Sequence, residues 1–169
     1  MKHAIIFSSM TGNTAALAGR LHDLLPAESC VYFGEPSREA AEIEADVFFV
    51  GFWTDKGSCD SKTRVLLKKL NRKNIVLFGT AGFGSDPEYF EQILKNAGDN
   101  APVSNTVLPG FMCQGRMKPE AKEKFEAMLA ADPEDERARQ MLKEYDSAAT
   151  HPDEKDFEAL DQWAEQFKF

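Results

Sequence analysis

Two short runs constrain the fold most. Asp46-Val47-Phe48-Phe49-Val50-Gly51-Phe52 and Asn74-Ile75-Val76-Leu77-Phe78-Gly79 are apolar almost without a break. A strand with one wet face alternates apolar and polar residues, whereas an unbroken apolar strand is covered on both faces. Ala4-Ile5-Ile6-Phe7 reads the same way, within a strand of about Lys2–Ser8. Ser29–Phe33 makes a shorter strand before a turn at Gly34 and Pro36. Thr106-Val107-Leu108 and Gly110-Phe111-Met112-Cys113 make a last strand, broken at Pro109.

Helical patterns fill the gaps between these strands. In Asn13–Leu25 the residues Ala15, Leu17, Ala18, Leu21, Leu24 and Leu25 recur at helical spacing. Ser61–Leu70 turns Val65, Leu66, Leu67 and Leu70 inward, and Pro87–Asn96 does so with Phe90, Ile93 and Leu94. Pro119–Ala130, Pro133–Ala148 and Pro152–Phe167 each open on a proline, which suits the first helical position, with Asp132 and His151 at the caps. The last two turn Met141, Leu142, Phe157, Leu160, Trp163 and Phe167 inward and leave solvated acidic faces. Phe167 and Phe169 either dock internally or reach a neighbour. Strand–helix alternation with right-handed crossovers gives an α/β fold, a doubly wound parallel sheet of five strands in three layers.

The chain has 169 residues, enough for one domain with a substantial core, and neither a repeat nor a linker divides residues 1–169. Its hydrophobic fraction is 43%, but no run is long enough to span a bilayer. Met1-Lys2-His3 leads straight into a strand, without a secretory pattern. Cys30, Cys59 and Cys113 form neither a C-x-x-C nor a zinc pattern, so a reducing cytoplasm and free thiols are expected. The net charge of −8 argues against nucleic acid and anionic membranes as partners, and favours a basic protein surface.

Chemistry concentrates first after the opening strand. Ser8-Ser9-Met10-Thr11-Gly12-Asn13-Thr14 holds four hydroxyls, one amide and one glycine in seven residues, just ahead of a helix. Such a loop offers backbone N–H groups, hydroxyls and a helix N-terminus to an anion. It contains no Lys or Arg, unlike a nucleoside-triphosphate loop, so neutral donors suit a phosphate monoester that stays bound. In a doubly wound sheet, ligands sit beyond the strands' carboxyl ends where the strand order reverses. The loops after the first, third and fourth strands therefore converge. The other two are Trp53-Thr54-Asp55-Lys56-Gly57-Ser58-Cys59-Asp60 and Thr80-Ala81-Gly82-Phe83-Gly84-Ser85-Asp86. Each joins an aromatic to glycines and small polar residues, as a planar hydrogen-bonding ring requires.

The S-x-T-G-N-T motif of Ser9–Thr14 resembles the phosphate loop of flavodoxins, which grips the phosphate of FMN. The resemblance implies FMN as cofactor and the strand order 2-1-3-4-5. It implies cofactor-binding roles for Ser9, Met10, Thr11, Gly12, Asn13 and Thr14, for Trp53, Thr54, Asp55, Lys56 and Gly57, and for Thr80, Ala81, Gly82, Phe83 and Gly84. Thr11, Asn13 and Thr14 would be donors to the phosphate. Flavodoxins often carry the stacking aromatic directly after the threonine, whereas here the order is Trp53-Thr54-Asp55. Trp53 therefore either stacks on the ring or donates its indole N–H to the phosphate.

Flavin N5 changes from acceptor to donor on one-electron reduction, and a flip of the Lys56–Gly57 peptide would answer it with a carbonyl. Asp55, Asp60 and Asp86 would oppose added negative charge and lower the potential, with Lys56 as counterweight. G-F-W-T-D-K-G, F-G-T-A-G-F-G, F-M-C-Q-G and H-P-D-E-K-D further resemble a flavodoxin-like subfamily of anaerobic gut bacteria, which includes proteins that accompany a bilirubin reductase and relatives with other duties. Gln114 either bonds the ring's polar end or caps a loop. His3, His22 and His151 have no metal spacing, and no G-x-S-x-G elbow is present.

Two function classes follow. One is a low-potential electron carrier between redox partner proteins with basic docking surfaces, without nucleic acid or membrane insertion, that supports a reductase. The other is an NAD(P)H-dependent FMN or quinone-type reductase acting directly on a small acceptor. The absence of G-x-G-x-x-G favours the carrier.

Overall fold

The computed structural model describes residues 1–168. Five parallel strands form the sheet: β1 (His3–Phe7), β2 (Cys30–Gly34), β3 (Val47–Asp55), β5 (Asn74–Ala81) and β6 (Thr106–Gln114). Their spatial order is β2-β1-β3-β5-β6, and a two-residue strand β4 (Ser58–Cys59) pairs antiparallel with the end of β3. With β4 counted, the sheet has six strands. The parallel five keep the expected order, and β4 is the return arm of a tight hairpin that grows out of the third-strand loop.

Alternation of side chains explains why both faces are dry. From β1, β3 and β5, Ala4, Ile6, Phe48, Val50, Phe52, Ile75 and Leu77 enter one core. The intervening Ile5, Val47, Phe49, Val76 and Phe78 enter the other. The first core is closed by α2 (Arg38–Ala41), α3 (Ser61–Lys69) and α4 (Pro87–Gly98), through Ala40, Leu66, Leu67, Leu70, Ile93 and Ala97. The second is closed by α1 (Asn13–Leu24) and α7 (Glu154–Ala164), through Leu17, Leu21, Leu160 and Ala164. Phe167 joins this core, 5.2 Å from the Phe49 ring, whereas Phe169 lies outside the described residues. At the centre of the sheet, Gly51 pairs with Phe78 and Phe52 with Gly79. Cβ atoms on these glycines would stand 2.4 Å from the Phe78 ring and 2.7 Å from the Phe52 ring. Each phenyl thus lies over the glycine of the adjacent strand.

Several expected details shift. Val65 is 53% exposed, because the buried stripe of α3 runs Thr63, Leu66, Leu67, Leu70 at i, i+3, i+4, i+7, and Val65 falls outside it. β6 is not broken at Pro109. Pro109 and Gly110 together face Leu77, a bulge on an edge strand that tolerates the missing donor. Pro119 does open α5 (Pro119–Ala131). Pro133 and Pro152 do not open the next two helices. α6 (Glu136–Ala148) starts at an Asp135 cap that accepts from Ala138 N–H, and α7 at Asp153 in a capping box with Asp156. An aspartate that can accept from the third helical N–H sets the start more strongly than a nearby proline. Asp132 instead terminates α5, and His151 precedes the α7 cap with Nδ1 2.6 Å from Asp156 Oδ2. α5 and α6 form a helical hairpin outside both cores, and among the described residues no helix is long and apolar enough to cross a membrane.

Candidate functional site

At the carboxyl ends of β1, β3 and β5 the three loops meet in one cleft of about 750 Å³. Its lining includes Met10, Thr11 and Asn13 from the first loop, Trp53 to Gly57 from the second, and Thr80, Gly82 and Phe83 from the third. Of the remaining candidates, Ser9, Gly12, Thr14 and Ala81 are outside its lining, and Gly84 lines an adjoining chamber of about 500 Å³ beside Phe83, Tyr89 and Met141.

The first loop is built around free backbone donors. Gly12 is the N-cap of α1 at φ 89°, a left-handed conformation suited to glycine. Ser9 Oγ accepts from Ala15 N–H at 3.2 Å. Among the described residues, the backbone N–H groups of Thr11, Gly12, Asn13 and Thr14 donate to no protein acceptor. These are the orphan donors that a helix start presents to an anion. The side chains have other duties. Thr14 Oγ1 donates to the Phe52 carbonyl at 3.0 Å and lies 3.2 Å from Thr80 Oγ1, so it ties the loop to the sheet. Asn13 is 4% exposed; its Nδ2 donates to the Arg116 carbonyl at 2.8 Å, and its buried Oδ1 has no partner. An orphaned buried acceptor beside four free N–H donors fits a ligand that carries both a phosphate and hydroxyls.

The second loop is a two-residue hairpin turn. Lys56 at φ 50° and Gly57 at φ 76° connect Asp55 to Ser58, beyond the pairs Thr54↔Cys59 and Asp55↔Ser58. Positive φ at both central residues marks a type I′ turn. Asn96 of α4 donates from Nδ2 to the Gly57 carbonyl at 2.8 Å and fixes the turn from behind. Thr54 Oγ1 donates to the Thr80 carbonyl at 2.8 Å, which joins the second and third loops. Trp53 is half-buried in the lining, and Phe83 is 40% exposed with its ring 6.0 Å from that of Phe125. Gln114 serves the third loop, its Nε2 donating to the Gly82 carbonyl at 3.5 Å.

Sequence reasoning missed the far wall. The hairpin of α5 and α6 contributes Ala121, Lys124, Phe125, Arg137 and Met141 to the cleft, and the β6–α5 junction contributes Gly115 to Lys118. Arg116 places a guanidinium against the loop that contains no cation, with Nη2 donating to the Thr11 carbonyl at 2.8 Å. No motif announces it. Its only signal is position, two residues past the end of a strand, where this architecture puts binding groups.

The structure also settles the balance of charge in the lining. Lys56, Arg116, Lys118, Lys124 and Arg137 line it against Asp55 and Glu120. Asp60 and Asp86 are engaged elsewhere: Asp60 caps α3 and Asp86 caps α4. The lining is therefore cationic in an acidic chain. Burial pushes the Cys59 thiol up, and it is 0% exposed, which leaves it as packing rather than a redox group.

A five-stranded doubly wound sheet with a loop of free backbone N–H donors after its first strand and two aromatic, glycine-bearing loops beside it defines a flavodoxin-type α/β protein. The chain belongs to the flavodoxin family, since the flavodoxin domain model matches residues 4–165. It is 41% identical over 175 residues, 95% of this chain and 92% of the other, to the flavodoxin-like domain-containing protein BilS of Clostridium symbiosum (strain WAL-14163). Its fold is similar to that of oxidised flavodoxin 2 from Bacillus cereus, with a TM-score of 0.56, 16% identity, and 99% and 97% of the two chains covered. It is also similar to a flavoprotein solved in complex with FMN from Lactobacillus acidophilus NCFM, with a TM-score of 0.51, 13% identity, and 66% and 92% covered.

Proposed function

We propose that this chain is a cytoplasmic FMN-binding electron carrier, a single unit over residues 1–169, that passes electrons between redox partner proteins and supports a reductase. The observation that carries the reading is the convergence of three loops on one cleft whose phosphate loop leaves four backbone N–H groups and Asn13 Oδ1 without partners. A phosphate would lie on the N–H groups of Thr11 to Thr14, and hydroxyls of a ribityl chain would reach Asn13 Oδ1. Trp53 and Phe83 supply aromatic surface for a flavin ring, and the Lys56–Gly57 turn supplies backbone for its edge. FMN, when bound, supplies one- and two-electron redox chemistry. The protein's part is to hold it, shield it from water and set the charge around it. The cationic lining favours added negative charge and works against the low potential that an acidic surface alone would set. Partners with basic docking surfaces suit the acidic body of the chain away from the mouth.

Purified protein should be yellow and release a compound with the mass of FMN, or should take up added FMN at micromolar concentration. A folded, colourless protein that refuses FMN overturns the reading. The chamber of about 500 Å³ beside Phe83, Tyr89 and Met141 supports a second reading, a reductase that seats a small acceptor next to the flavin. Anaerobic addition of NADH or NADPH separates the two, because direct bleaching of the flavin fits only the reductase.

A further inference from the structure

We propose that Arg116 makes the phosphate loop select a dianionic phosphate monoester, and so lets this chain discriminate FMN from riboflavin. The inference rests on the FMN reading above and goes beyond it. The loop is made of neutral donors, and its charge comes from a residue 105 positions away from Thr11.

Three observations carry it. Arg116 Nη2 lies 2.8 Å from the Thr11 carbonyl and 3.5 Å from where a Cβ on Gly12 would stand, so the cation is at the loop backbone itself. Among the described residues no carboxylate lies within ion-pairing distance of the guanidinium, and the bond to Thr11 engages one of its five N–H donors. The Arg116 backbone is held on both sides, with its N–H donating to the His151 carbonyl at 3.0 Å and its own carbonyl accepting from Asn13 Nδ2 at 2.8 Å. A neutral side chain would suffice to tie down Thr11. An exposed guanidinium held to the loop by one hydrogen bond, without a carboxylate partner and beside four free N–H groups, suits an anion with several oxygens, because its fork matches phosphate geometry.

The test compares Arg116→Gln and Arg116→Lys with the parent chain, titrating FMN and riboflavin against the stripped protein by flavin fluorescence. Arg116→Gln should weaken FMN roughly tenfold or more, the scale of a charge-assisted bond, and leave riboflavin within about twofold. Arg116→Lys should recover most of the loss. Affinity of the parent chain for FMN should fall as the phosphate's second ionisation, at a pKa of about 6, is reversed, and this pH dependence should flatten in Arg116→Gln. Unchanged FMN affinity in both variants overturns the proposal. So does equal weakening of FMN and riboflavin, or a Lys variant as weak as the Gln variant, since each describes a structural tie. Should the parent chain take no FMN, the parent reading fails, and thermal stabilisation by inorganic phosphate decides the role of Arg116 alone. A shift lost in Arg116→Gln supports it, and an unchanged shift overturns it.

Discussion

Gly115 and Asn13 come so close that a Cβ on Gly115 would stand 2.6 Å from Asn13 Nδ2, inside any normal contact. The amide cannot move aside freely, since it is buried and donates to the Arg116 carbonyl. Gly115→Ala is therefore expected to displace the Asn13 side chain, at about 1–3 kcal/mol for overpacking. Flavin content of the purified variant should drop while the circular dichroism of the fold persists, and the loss of melting temperature measures the strain.

The turn at Gly57 carries the second expectation. A side chain there meets open space, so Gly57→Val tests backbone conformation alone, at φ 76°. The left-handed region costs a β-branched residue about 1–2 kcal/mol. With FMN bound, the separation between the two one-electron potentials should narrow in Gly57→Val. It should also change in Asn96→Ala, which releases the Gly57 carbonyl. Spectroelectrochemical titration reads both. Identical potentials in the two variants would rule out a role for this turn in answering the change at N5.

The thiols should react in order of burial. Cys30 is half-buried, while Cys59 and Cys113 are 0% and 4% exposed. Burial raises all three thiols, Cys113 the furthest. Iodoacetamide at neutral pH should label Cys30 first and the other two only on unfolding, followed by mass spectrometry. Fast labelling of Cys59 in the native state would contradict this order.

Acid should loosen α7 before the sheet. The Asp156 backbone N–H holds the Asp153 carboxyl below its ordinary range, and the hydrogen bond from Arg20 does the same for Asp161. A carboxylate lowered in the folded state stabilises the fold above its unfolded pKa of about 3.9, and that contribution is lost as pH falls through the lowered folded value. Stability should fall below about pH 4, and Asp153→Asn should flatten that limb and lower stability at neutral pH. Unfolding in urea at stepped pH measures it.

How much could be read in advance varies from element to element. Phe48 to Val50 and Ile75 to Phe78 declare a doubly covered sheet because both faces of a strand are visible in its own sequence. The donor-rich loop after β1 is equally local, as its hydroxyls, amide and glycine belong to seven consecutive residues. Pro133 and Pro152 misled, because Asp135 and Asp153 lie one or two residues further on and only the folded backbone shows which residue's side chain meets a free helical N–H. The hairpin strand β4 was invisible, since two residues carry no period.

The sequence by itself determined the layers and the order of helix and strand, which follow from periodicities within single segments. Tertiary structure alone decided what else surrounds the loop after β1. Arg116, the cationic wall of α5 and α6, and Asn96 behind Gly57 reach the cleft from distant parts of the chain, and no local pattern encodes a contact that exists only once the sheet has brought its strand ends together.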